Sequence, residues 1–112
     1  MLERLLRLHQ PEDFARLRAG GRVYRHPAML LSLLPNGLPH NRYGFITSKQ
    51  IGGAVLRNRT RRLLREAIRK LHPRISTGYD FVLIARHELT KQSLMDYELT
   101  IESLLRQARV VV

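Results

Sequence analysis

The stretch GGAVLRNRTRRLLREAIRK, residues 52–70, constrains the rest of the chain more than any other. From position 57 to 70 it carries seven Lys or Arg side chains and one Glu, interleaved with Leu, Ala and Ile at helical spacing. A disordered basic tail has no use for the leucines, and a core helix does not tolerate the arginines. At about 100° per residue, Arg57, Arg61, Arg65, Asn58, Arg69 and Arg62 fall within an arc of roughly 140°. Leu63, Leu56, Ala67, Leu71 and Leu64 fall opposite, within about 100°, and Ile68 lies just outside that arc, near Arg57. The spacing predicts a helix that docks by its leucines, turns an arginine face to solvent and ends near Leu71, ahead of Pro73. Glu66 is placed to pair with Arg62 or Lys70, four residues to either side.

A merely solvated helix mixes its charges. Here six arginines face one acid, and like charges at i,i+4 cost a few tenths of a kcal/mol per pair. An anionic partner would relieve that repulsion. The net charge of +11 is concentrated in the same place: residues 1–26 contribute +3, 27–56 contribute +2, 57–70 contribute +6 and 71–112 contribute 0. A positive field so localised suits a polyanion. Of the 20 basic residues 17 are Arg, whose planar fork favours phosphate and RNA over loose counter-ion attraction. Helices that read the DNA major groove usually sit in a helix-turn-helix or a zinc finger, and this sequence has neither pattern. Gly52-Gly53 before the helix either lets its N-terminus approach a phosphate or simply connects it to the preceding strand.

At 112 residues the chain is expected to form one domain, residues 1–112. Its 44% hydrophobic and 26% charged composition is that of a folded globular protein. The longest apolar run, AMLLSLL at 28–34, is strand-sized and far short of the roughly 20 residues that cross a bilayer. MLERLLRLHQ lacks the pattern of a secretory signal, and Glu3, Glu12 and Asp13 argue against a mitochondrial presequence. The absence of cysteine excludes disulfides and thiolate metal sites, and a cytoplasmic location is expected.

The remaining elements read in order. QPEDFARLRAGG is a short helix, with Pro11 in its first turn, Glu12 and Asp13 at its positive end, and Gly20-Gly21 stopping it. RVYRHPAMLLSLLP gives one or two strands ended by Pro35, and PNGLPHN is a loop. RYGFITS alternates, with Tyr43, Phe45 and Thr47 on one face and Gly44, Ile46 and Ser48 on the other. YDFVLIAR, residues 79–86, is apolar through its middle and belongs at the centre of a sheet. SLMDYELTIESLLRQA, 93–108, is an amphipathic helix with Ser93 and Asp96 spaced as a capping box and Leu94, Tyr97, Ile101, Leu104, Leu105 and Ala108 on one face. The fold class is α+β, one sheet sandwiched with helices.

Other signals are weak. The five histidines (9, 26, 40, 72, 87) show no metal-ligand spacing. Asp80 reads as a strand-start residue rather than a catalytic carboxylate, and Tyr24, Tyr43 and Phe45 suit a core as well as RNA stacking. No cluster of carboxylates supplies a two-metal nuclease centre, so no catalytic and no metal-binding residue is assigned.

RYGFITSKQIGGAVLRNRTRRLLREAIR resembles the signature region of the protein subunit of bacterial ribonuclease P. A G-x-x-x-S-K segment on a strand leads into A-V-x-R-N-R-x-[KR]-R-x-x-R-E on a helix, matched by Gly44, Ser48, Lys49, Gly52, Ala54, Val55, Arg57, Asn58, Arg59, Arg61, Arg62, Arg65 and Glu66. EDF at 12–14, LPN at 34–36 and DFVLIAR at 80–86 extend the likeness over about residues 9–108. The resemblance implies an α/β sandwich with one mixed sheet of about four strands, a left-handed β-α-β crossover through the basic helix, and the fold of the second domain of a small-subunit ribosomal protein. It implies binding, one to one, to the catalytic RNA of ribonuclease P. It also implies help in the Mg²⁺-dependent endonucleolytic removal of the 5′ leader from precursor tRNA, with the metal held mainly by RNA and none by this chain alone. Carried over by position, Arg57, Asn58, Arg59, Arg61, Arg62 and Arg65, with Arg69 on the same arc, face the ribonuclease P RNA. A cleft between the first helix and the sheet holds the leader, with Phe14, Ser48 and Lys49 in it. Arg18 and Leu31 stand at cleft positions that are often aromatic in the family, which leaves less stacking on the leader and more charge. The competing readings are a ribosomal or general RNA-packaging protein, which would bind ribosomal fragments equally tightly, and a protein-only nuclease dependent on Asp80, Glu66 or Glu88.

Overall fold

The computed structural model describes residues 6–8, 10–86 and 94–111. The proposed cap Ser93, the carboxylate Glu88, and His9 and His87 lie outside them. Helix α1 (Pro11–Gly20) leads into strands β1 (Arg22–His26) and β2 (Met29–Pro35), then β3 (Arg42–Thr47), helix α2 (Ala54–Leu71), strand β4 (Tyr79–Ala85) and helix α3 (Leu94–Gln107). The segment 22–35 is thus two strands, folded at Pro27-Ala28, where His26 Nδ1 accepts the Ala28 N–H at 3.1 Å.

The sheet runs β1-β2-β4-β3, with β2 antiparallel to both β1 and β4, and β3 parallel to β4. The apolar segment 79–85 is central, as its composition predicts. Parallel neighbours need a crossover, and α2 supplies it between β3 and β4.

Strand alternation divides the core in two. Met29, Leu31 and Leu33, Tyr43, and Phe81, Leu83 and Ala85 face α2 and α3, where they meet Leu64, Ala67, Ile68, Leu71, Tyr97, Ile101 and Leu104. On the other face Val82, Leu34 and Ile84 meet Leu8, Phe14 and Leu17. Among the described residues, α1 and the short stretch before it pack against that second face.

Candidate nucleic-acid interface

Two surfaces suited to nucleic acid arise, one on each side of the sheet. The first is α2. Its buried residues are Thr60, Leu64, Ala67, Ile68 and Leu71, so the docked face is rotated toward Ile68 and away from Leu63 and Leu56. Leu63 is half-buried, and Leu56 is 37% exposed, folded back over Gly52. Gly52 adopts φ 137°, a conformation that favours glycine, and a Cβ there would lie 2.7 Å from the Leu56 side chain. The expected leucine seam is corrected accordingly: packing selects Ile68 and Thr60, whose hydroxyl is turned back to the Leu56 carbonyl at 2.9 Å.

This rotation brings Arg57, Arg61 and Arg65 half into contact with the protein, while Asn58, Arg59, Arg62 and Arg69 stay exposed. The Arg61 guanidinium donates to Thr47 Oγ1 of β3 at 2.8 Å and also to Asn58 Oδ1. Arg65 lies over the Phe45 ring, 5.9 Å from its centre, a cation–π contact that lays its stem along the edge strand. Burial lowers the pKa of Arg65, and the positive charges of Arg7 and Arg61 lower it further. Glu66 pairs with Arg69 (2.6 Å), not Arg62 or Lys70, and Lys70 reaches Glu98 on α3 at 3.4 Å. Arg57, Arg61, Arg62 and Arg65 enter no ion pair among the described residues. Four cations within three turns, uncompensated, make a site for a polyanion.

The second surface is a cleft of about 330 Å³ between α1 and the sheet, lined by Phe14, Leu17, Arg18, Ser32, Ile46, Val82 and Ile84. Two glycines let α1 come so close. A Cβ on Gly44 would lie 2.7 Å from the Phe14 ring, and one on Gly21 would lie 2.6 Å from both the Leu17 carbonyl oxygen and Ser32 Oγ. The end of α1 nearer its N-terminus is held electrostatically. Asp80, fully buried, accepts from Arg42 Nε (2.9 Å) and Nη2 (2.8 Å), from Asn36 Nδ2 (3.0 Å), and from Arg16 of α1. Asp13 of α1 completes the network with Arg42 at 3.3 Å. Burial alone would raise the Asp80 carboxyl, but hydrogen bonds from Arg42 and Asn36 and the charges of Arg42 and Arg16 outweigh it, holding the carboxyl below its ordinary value.

Phe14 and Arg18 line the cleft wall. Leu31 is a correction: it is 1% exposed and lies in the main core on the opposite face, because residues two apart on a strand share a side and it goes with Met29 and Leu33. Its neighbour Ser32 takes the cleft position. Ser48 and Lys49 are not among the lining residues. They follow the end of β3, where Ser48 Oγ accepts the Gln50 N–H at 3.2 Å and caps a short 3₁₀ turn, Lys49–Ile51. Ser32, Ile46, Val82 and Ile84 escape sequence reading because three different strands supply them, and alternation within a strand sorts its residues into two faces without saying which face meets α1.

Comparison with known proteins places the chain in a family. The ribonuclease P family model matches residues 2–109. A ribonuclease P protein component from Roseiflexus castenholzii is 40% identical, over 98% of this chain and 91% of its own length. The chain belongs to the ribonuclease P protein family. Among solved structures, the Staphylococcus aureus ribonuclease P protein superposes with a TM-score of 0.84 at 28% identity, covering 96% of this chain and 98% of that one. The Thermotoga maritima protein gives 0.79 at 26% identity, covering 89% and 96%. This is therefore a ribonuclease P protein component of the bacterial type, with the α+β fold of that group. Among the described residues no helix is long and apolar enough to cross a membrane.

Proposed function

We propose that this chain is the RNA-binding subunit of a cytoplasmic ribonuclease P ribonucleoprotein, an endoribonuclease that matures tRNA 5′ ends. The α2 face of Arg57, Asn58, Arg59, Arg61, Arg62 and Arg65 holds one copy of the catalytic RNA, with Arg69 at its edge, partly neutralised by Glu66. The cleft beneath α1 holds the single-stranded leader of precursor tRNA, its bases against Phe14, Arg18 and the aliphatic floor, with Lys49, in the turn after β3, a cation for its phosphates outside the cleft. The observation that carries this reading is that Arg57, Arg61, Arg62 and Arg65 of α2 enter no ion pair among the described residues, in a chain of this family.

The described carboxylates do not fit Mg²⁺. No group of three or more His, Asp or Glu side chains among the described residues is arranged to hold a metal, and both oxygens of Asp80 already accept from arginine. The reading therefore gives the ion to the RNA and gives this chain binding and orientation.

The test is reconstitution. Purified chain, a transcribed bacterial ribonuclease P RNA and a precursor tRNA with a short leader are combined at Mg²⁺ low enough that the RNA alone is nearly inactive. Cleavage at the mature 5′ end is expected only when both macromolecules are present. Binding without rescue, or equal affinity for ribosomal RNA fragments, would instead mark a general RNA-binding protein. Cleavage by the chain without RNA would overturn the proposal.

A further inference from the structure

The cleft carries more chemical information than a nonspecific leader groove needs. Its lining is aliphatic or aromatic except for the Arg18 guanidinium on the wall and the Ser32 hydroxyl, from a residue only 8% exposed, on the floor. Among the described residues Arg18 enters no ion pair, including with either carboxylate of its own helix, Glu12 or Asp13, the latter already engaged by Arg16 and Arg42. Its donors are thus available to whatever enters. At about 330 Å³ the space lies at the small end of ligand pockets, suited to one nucleobase rather than several. A phosphate would lose hydration among Ile46, Val82 and Ile84, whereas a base gains contact there.

A guanidinium has five N–H donors and no acceptor. Guanine presents two adjacent acceptors, N7 and O6, which match that fork. Adenine sets an amino donor beside N7, so one arm of the fork meets a donor there. We propose that Arg18 makes this cleft prefer guanine over adenine at one nucleotide of the leader, an inference that rests on the leader reading above and refines it.

The experiment uses the reconstituted ribonucleoprotein and precursor tRNAs with a leader of about eight adenosines, one guanosine being moved along it. At one position guanosine is expected to raise kcat/KM roughly tenfold over adenosine. Substituting 7-deazaguanosine there, which lacks the N7 acceptor, removes most of the gain. Arg18→Met, which keeps an unbranched stem, brings the guanosine-to-adenosine ratio close to one. Equal use of both bases at every position, or a guanosine preference that survives Arg18→Met, overturns the inference. Shortening the all-adenosine leader separates the two levels. If the wild-type chain shows no loss on shortening, the leader reading fails and this inference with it. If it shows that loss but no guanosine preference, the inference alone fails.

Discussion

Asp80 joins α1, the loop after β2, β3 and β4 through one buried carboxylate, and the cost of neutralising it follows from that geometry. Asp80→Asn leaves Arg42 and Arg16 without their counter-charge, and is expected to cost about 3 kcal/mol in urea unfolding. A loss under about 1 kcal/mol would show that solvent serves the arginines as well. The pH dependence has a definite sign. Because the folded carboxyl lies below its ordinary value, its stabilisation is fully present above about pH 4 and is lost as the pH falls through the lowered value. At the alkaline end, burial pushes the Tyr43 hydroxyl up to about 12, although the Asn41 hydrogen bond pulls it down. The phenol is protonated in both states below about pH 10, so stability drops between about pH 10 and 12 as the unfolded chain ionises first. Tyr43→Phe should flatten that part of the profile in unfolding followed by circular dichroism; an unchanged slope would place the alkaline transition elsewhere.

At the scale of elements, the rotation of α2 is the point on which sequence and structure part. Apolar spacing identifies the helix, its length and its arginine arc, but it weights Leu56 and Leu63 equally with the buried positions. Hydropathy cannot show that Arg57, Arg61 and Arg65 lay their aliphatic stems against the protein and shift the seam toward Ile68. Ile68→Ala is therefore expected to cost about 3 kcal/mol and Leu63→Ala about 1 kcal/mol. The reverse ranking in thermal or urea unfolding would restore the leucine seam. For α1, Gly44→Ala drives a methyl group into the Phe14 ring and is expected to cost about 1–3 kcal/mol while reshaping the cleft wall. A neutral substitution there would show that the ring can move aside freely.

For the whole molecule, the sheet keeps two surfaces apart, with α2 on one face and the α1 cleft on the other. Much of this arrangement is legible in the residues. The apolar middle of 79–85 gives the central strand, the crowded arginines of 57–70 give the polyanion face, and the signature from Gly44 to Glu66 gives the family. The cleft is not legible in the same way. Its floor is drawn from β2, β3 and β4, so Leu31 and Ser32 cannot be told apart until the register is known. The Asp80 network is hidden for the same reason, since its partner Arg16 lies 64 positions away.

Whether the α2 arginines hold the RNA by its phosphates is read out by salt titration. The affinity of the wild-type chain and of an Arg61→Ala/Arg65→Ala variant for a transcribed ribonuclease P RNA is measured across about 50–200 mM salt. If each arginine neutralises one phosphate, the log–log slope of the variant is shallower by about two. An unchanged slope would place the RNA on another face of the molecule.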